Sequence, residues 1–298
     1  TFTTSNSSGI FSDDFSACAI DGRWTWVNLL NDSQRAVTGR HLEITVPGGD
    51  TDHTLYTDGI NVPRLMQPAN DDDFTVEVKF DSVLAQSGST QGIVIEQDGD
   101  TFLRFEFFNR TDKLRVFVVG IRDGVIISNT TGSRDLVGEP ISLYMRIVRA
   151  GDKWQQYYSL DGSEWTLNRE SNSAMTVRRV GASAATSQFG QTPIPTHTVL
   201  VDYFFNTAAP ITAEDSRYAV NVDIEGSGNV TRNPNRGYYC GQQVTLTATP
   251  SQGWVFLGWA GDAAGTDPVR TLTVTGDMNV TAQFSNDGFR LVVPLILR

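Results

Sequence analysis

The feature that most limits what this chain can become is a two-residue rhythm of apolar side chains that recurs along much of its length. In FTVEVKFD, residues 74 to 81, Phe74, Val76, Val78 and Phe80 alternate with residues that include Glu77 and Lys79. Ile141 to Arg149 repeats the pattern, with Leu143, Met145 and Ile147 set against Tyr144, Arg146 and Val148. A strand presents successive side chains to opposite faces, so each stretch has one face for a core and one for another use. No sustained i, i+3, i+4, i+7 spacing competes with this rhythm, and Thr, Val, Gly and Asn are abundant. The chain is therefore expected to be all-β. Its 298 residues favour two domains over one, and an apolar content of 39% suffices for packed cores.

The stretch with the most chemistry in it is QGIVIEQDGDTFLRFEFF, Gln91 to Phe108. It reads as a hairpin turning at Asp98-Gly99, with Glu96, Arg104 and Glu106 inside the arms. Charged side chains in strands must face water or find partners, because an unpaired buried charge is very costly. A sheet with one packed and one wet face satisfies this. Two registers are open. A two-residue turn pairs Glu96 with Thr101 and puts Glu96 on the face opposite Arg104 and Glu106. A three-residue loop at Asp98 to Asp100 pairs Glu96 with Phe102 and puts all three on one face, with Leu103 and Phe105 in the core.

Other stretches supply further candidates. Trp24 and Trp26 lie two apart and share a strand face; core packing is the expected role, a sugar-stacking platform the sharper one. The segment after Pro47, GGDTDHTLYTDGINVPRLMQP, reads as a long loop bearing Asp50, Asp52, His53, Tyr56, Asp58, Arg64 and Gln67. Long polar loops on rigid sheets are where binding tends to reside. Asp50, Asp52 and Asp58 offer oxygens of the kind Ca²⁺ takes, without EF-hand spacing, and one histidine is too few for zinc. His41, His53 and His197 are scattered and read as structural or exposed.

The net charge of −11 opposes nucleic acid and anionic membrane as partners and suits a neutral partner, a cation or a basic partner. No run approaches the length of a membrane span. The polar opening TFTTSNSSG, with no signal peptide, is what a processed secreted protein would show. Cys18 and Cys240 form either one long-range disulfide or two buried thiols.

Taken together, DDF near the start, PRLMQ, FTVEVKFD, the hairpin, YSLDGSEW and VDYFFN resemble the concanavalin A-like β-sandwiches grouped around the DUF1349 family and the C-terminal domains of some β-xylosidases. The resemblance implies a two-sheet jelly roll with a curved face, in proteins that handle carbohydrate. After the linker, YAVNVDIEGSGNVTRNP, GQQVTLTATP, FLGWAGD and VTAQF are similar to the divergent InlB B-repeat, a small β-grasp-like module of secreted and surface bacterial proteins. The expected organisation is a flexible leader over 1–10, the sandwich over 11–207, a linker over 208–216, the repeat module over 217–284 and an apolar tail over 285–298.

Sandwich glucanases carry an E-x-D-x-x-E or E-x-D-x-E strand motif. Here Glu96-Gln97-Asp98-Gly99-Asp100 places Asp where the last Glu belongs, so the acids belong to the turn. No GxSxG, HExxH or P-loop is present. The expected function is non-catalytic recognition of a carbohydrate or cell-surface ligand by a secreted or cell-surface protein. The candidate ligand-binding residues are Tyr56, Arg64, Gln67, Glu77, Glu96, Arg104, Glu106, Arg146, Trp154 and Tyr158. The first alternative is a glycoside hydrolase or polysaccharide lyase using Glu96 and Glu106. An arginine between those two carboxylates is expected to lower their pKa values, the wrong direction for a general acid. The second alternative is a structural or adhesive module.

Overall fold

The computed structural model describes residues 7–56, 59–111, 113–138, 140–187 and 193–286. Among these residues there are strands but no helix, numbered here β1 to β22 in chain order. The chain divides into two compact units between Glu214 and Asp215, inside the stretch expected to be a linker.

The larger unit contains two seven-stranded antiparallel sheets. The first runs in the order β1 (Thr25–Val27), β6 (Arg64–Pro68), β15 (Arg179–Thr186), β8 (Ser89–Glu96), β9 (Phe102–Arg110), β10 (Lys113–Arg122) and β11 (Val125–Asp135). The second runs β14 (Thr166–Asn172), β13 (Lys153–Ser159), β12 (Leu143–Ala150), β7 (Phe74–Phe80), β16 (His197–Asn206), β3 (Leu42–Val46) and β2 (Gln34–Val37). A short pair, β4 (Leu55–Tyr56) and β5 (Gly59–Ile60), lies in the connection leading to β6.

The period-two rhythm translates directly into the core. Val76, Val78 and Phe80 of β7 and Leu143, Met145 and Ile147 of β12 pack with Ile93, Ile95, Leu103, Phe105 and Phe107 of the β8–β9 hairpin. Phe80 meets Phe107 edge to face at 6.3 Å between ring centroids. Each such side chain contributes about 1.5–3 kcal/mol by leaving water. Trp24 is core, packed on Phe11, Phe15 and Phe204, with its indole N–H donating to Asp13 Oδ2 at 2.8 Å. The packing role expected for the tryptophan pair holds, since half-buried Trp26 leans on the same cluster.

Two expectations change. Residues 7–10, read as flexible leader, are docked: Asn70 binds the Ser7 and Ser8 carbonyls, and Ile10 is fully buried. Residues 1–6 lie outside the described residues, as do 287–298 of the expected tail. The presumed long loop after Pro47 ends in β6, which pairs with both β1 and β15 inside the first sheet.

The hairpin takes the second register. Glu96 pairs with Phe102, Val94 with Arg104 and Gly92 with Glu106, so Glu96, Arg104 and Glu106 share one face. The loop is closed by Gln97 N–H to the Thr101 carbonyl, and Asp98 Oδ1 accepts the Asp100 and Thr101 amides at 3.0 and 2.8 Å. Desolvation opposes ionisation of Asp98, but those amides hold its pKa below the ordinary value. The acids that most resembled a catalytic motif are consumed by the turn.

The smaller unit has two three-stranded sheets. One is β17 (Val220–Glu225), β22 (Met278–Ser285) and β20 (Val255–Gly261), with β17 and β22 parallel. The other is β18 (Gly228–Asn233), β19 (Gln243–Pro250) and β21 (Val269–Thr273). Trp259, Phe284, Leu246 and Val244 lie in its core, and Trp254 and Phe256 pack against them.

Candidate functional site

The alternation that builds the core also decides which candidates can act together. Arg64, Glu96, Arg104 and Glu106 stand on the outer face of the first sheet, away from the sandwich core. Glu77 and Arg146 stand on the outer face of the second sheet, where they pair with each other. Gln67, Trp154 and Tyr158 point inward. The side chain of Tyr56 lies outside the described residues. The ten candidates therefore do not form one strip.

The inward three are corrections. Gln67 is fully buried; its Oε1 accepts the Phe11 amide at 2.9 Å and its Nε2 donates to the Phe11 carbonyl at 3.1 Å. It splints the N-terminal segment to β6. Trp154 is buried against Phe74 and Phe105, and its indole N–H donates to the Ser173 carbonyl at 2.9 Å. Tyr158 packs on the same core. Neither Gln67 nor Trp154 can meet a surface ligand.

The outer face of the first sheet is a charged layer under partial cover, not an open wet surface. Glu96 is 0% exposed and is clamped by two arginines, Arg64 Nε at 2.5 Å from Oε1 and Arg179 Nη2 at 2.6 Å from Oε2. Arg64 also donates to the Val62 carbonyl at 3.1 Å. Beside this clamp, Ile60, Val62, Met66, Val94, Phe102 and Ile121 form a second small apolar cluster. Burial pushes the Arg64 pKa down, opposed by Glu96.

Farther along β9, Arg104 Nη2 donates to Glu106 Oε2 at 2.5 Å. The Arg104 guanidinium lies 5.4 Å from the Phe117 ring centroid, and Phe117 meets Phe108 edge to face at 5.6 Å. Phe108, Phe117 and Arg104 keep part of their surface in water, whereas Glu106 beneath them has none. On the β8 side Glu106 faces Gly92, which has no side chain. A Cβ on Gly92 would sit 2.1 Å from the Phe105 carbonyl oxygen and 2.9 Å from Glu106 Cγ. The strands therefore approach closely here, and Gly92, its other cross-strand neighbour Ser183 and Glu106 are all buried.

The expectation about acidity is corrected for Glu106. Burial raises its pKa, and Arg104 only partly offsets this. Among the described residues no second carboxylate is seen to pair with it in the sheet. Glu96 is four residues away along the neighbouring strand, about 13 Å of extended chain, and is held by its own arginines.

Asp50 and Asp52 are exposed, and Asp58 lies outside the described residues. Among the described residues the donor atoms that converge as a cation would need are those of His41, Asp81 and Asp202. A cation already sits there. Lys79 Nζ is 2.8 Å from Asp202 and 3.3 Å from Asp81, and its pKa rises to about 12 because the two carboxylates outweigh its desolvation. His53, read as structural or exposed, is buried and binds Asp32 at 2.9 Å.

Residues 12–189, more than half the chain, match the family described as beta xylosidase C-terminal concanavalin A-like domain. The chain belongs to this β-xylosidase C-terminal family. Residues 218–288 match the divergent InlB B-repeat domain. The comparison with curated proteins found no match to the chain.

Among solved structures, the β-xylosidase C-terminal fold recurs in the GH43 protein BlXynB of Bacillus licheniformis, at 20% identity and a TM-score of 0.51. That match covers 65% of this chain and 38% of the other. A Bacteroides ovatus protein, xyloglucan PUL GH43B, matches over the same shares at 14% identity and a TM-score of 0.50. A bifunctional GH43-CE protein of Bacteroides eggerthii matches at 17% identity and 0.50, over 72% of this chain and 31% of its own. The chain thus spans well under half the length of these proteins, and the likeness is one of fold.

Several residues of the face gave little sequence signal. Arg179 and Ser183 belong to RVGASAAT, whose Ala, Gly and Ser carry weak strand propensity. Phe117 and Phe108 look like any alternating aromatic until the register of β9 and β10 pairs them with Glu106 and Arg115.

Proposed function

We propose that this chain is a secreted or cell-surface protein whose concanavalin A-like unit recognises a carbohydrate without cleaving it. The observation that carries this reading is the part of the first-sheet face where the Arg104 guanidinium, held by Glu106, stands with Phe117 and Phe108, all three partly in water. Rings offer flat apolar surface to the C–H face of a sugar, and an oriented guanidinium supplies hydrogen bonds to its hydroxyls. The net charge of −11 favours a neutral glycan over an acidic one. The relatives by fold are glycosidase-family proteins, one named for xyloglucan, and the matching family is the C-terminal domain of β-xylosidases. A role beside carbohydrate chemistry agrees with that company.

The placement of the carboxylates supports recognition without cleavage. Glycosidases place two within about 5–10 Å across the scissile bond. Here Glu96 is held by two arginines, and buried Glu106 is paired with Arg104. The raised pKa of Glu106 is what a general acid needs, so the hydrolase alternative has one favourable observation and lacks its second residue.

The test is a panel of neutral polysaccharides scored for retention and for released sugar. Retention without release, weakened about 10–100-fold by Arg104→Gln through loss of a charge-assisted hydrogen bond, is the expected outcome. Release of sugar that disappears in Glu106→Gln overturns the non-catalytic reading. Retention of nothing on the panel leaves the structural or adhesive role.

A further inference from the structure

The outer face of the second sheet carries a second arrangement that the first-sheet site does not use. One cross-strand row runs Leu167, Tyr157, Arg146, Glu77 and Phe205, spanning five strands and about 19 Å at the usual strand spacing. Thr75, Arg146, Val148, Tyr157, Trp165 and Thr207 line an open groove along it. Arg146 is fixed from two sides. Its Nε and Nη2 donate to Glu77 Oε2 at 3.0 and 2.7 Å, and its guanidinium lies 3.8 Å from the Trp165 ring centroid. Glu77 is fixed in turn by the Tyr203 hydroxyl, which donates to Oε1 at 2.7 Å, and Tyr203 stacks on Phe205 at 4.1 Å.

A structural row would bury its rings and satisfy its ions, and at the Phe205 end this one does, with 8% exposure. The other end is open. Leu167 is 39% exposed, the Arg146 side chain 33%, and Tyr157 and Trp165 are half-buried. Contiguous apolar surface rimmed by polar groups marks a contact site. The arginine and glutamate cancel within the row, so the surface suits a ligand without net charge.

We infer that this groove is a second carbohydrate-binding site, which takes a linear segment of a neutral polysaccharide on Tyr157 and Trp165, with Arg146 donating to its hydroxyls. The ligand class rests on the reading of the chain as a carbohydrate-recognition protein, whereas the site is independent of the first-sheet face. Holding Arg146 between Glu77 and Trp165 before binding lowers the cost of ordering it.

Titration calorimetry of the full chain with xylohexaose, cellohexaose and mannohexaose tests this. An oligosaccharide that is bound should show two sites per chain. Tyr157→Ala should remove one of them, or weaken it about tenfold. Leu167→Asp, at an exposed rim position that leaves the core intact, should act likewise. Arg104→Gln should affect only the other site. A single site abolished by Arg104→Gln and untouched by Tyr157→Ala and Leu167→Asp overturns the groove and leaves the functional reading standing. A single site with the reverse dependence supports the groove and overturns the first-sheet strip. No heat with any of the three, together with no retention on the polysaccharide panel, overturns both.

Discussion

Replacing Glu96 by alanine should destabilise the larger unit severely while leaving the groove of Tyr157 and Trp165 able to bind. Glu96 is 0% exposed and Arg64 3%, so the substitution strands a buried guanidinium whose desolvation was offset by a carboxylate at 2.5 Å. Removing one partner of a buried pair costs about 3–5 kcal/mol. The Arg179 contact adds little to this, because that side chain is 40% exposed and water replaces much of what it loses. For a unit of this size the loss corresponds to a fall in Tm of roughly 6–20 °C.

Arg64→Met combined with Glu96→Leu should recover most of the deficit. The two positions adjoin the apolar cluster of Ile60, Val62, Met66, Val94 and Phe102, which supplies packing partners for the new side chains. Scanning calorimetry and urea unfolding of the full chain, arranged as a double-mutant cycle, give the coupling. A Glu96→Ala variant within about 1 kcal/mol of the parent, or a double variant whose loss is the sum of the single ones, would refute the buried-clamp account.

Trp154→Ala should cost about 3–5 kcal/mol by opening a core cavity, with no change in oligosaccharide affinity per folded molecule; reduced affinity at full foldedness would return Trp154 to the binding residues. Burial lowers the His197 pKa to about 4, and among the described residues its Nε2 has no hydrogen-bond partner. The unfolded chain therefore takes up a proton below about 6.5 that the folded protein refuses until about pH 4. Stability is complete above the upper value and declines across that window, by about 3 kcal/mol from this residue. His197→Gln should flatten the decline in urea midpoint over the window, and an unchanged slope would show that His197 is not its source. Gly92→Ala should lower stability by about 1–3 kcal/mol, since the new methyl meets the Phe105 carbonyl at 2.1 Å; a neutral result would mean that β8 and β9 can part without loss. Neither cysteine is free, so the intact mass should gain two hydrogens on reduction, and an unchanged mass would mean two thiols.

The all-β class and the inward sets of β7 and β12 could be read from the sequence because each rests on local periodicity. A residue's face follows from its neighbours two positions away, whatever the rest of the chain does. Tertiary structure decided the partners. Glu77 and Arg146 look like companions of Glu96 and Arg104 in the sequence, yet β7 and β12 lie in one sheet and β8 and β9 in the other. Strand order is set by long-range pairing, which no local pattern encodes. β15 escaped notice because its alanines, glycine and serine are selected by close packing between β6 and β8, where a Cβ on Gly181 would fall 2.0 Å from the Leu65 carbonyl oxygen. The register of the hairpin was open by one residue, and the pairing of Glu96 with Phe102 closed it. Sequence alone placed charges inside strands. Whether they are buried or exposed depends on what covers the sheet and which arginine arrives from a distant strand, because burial is a property of the assembled layers and not of the alternation that built them.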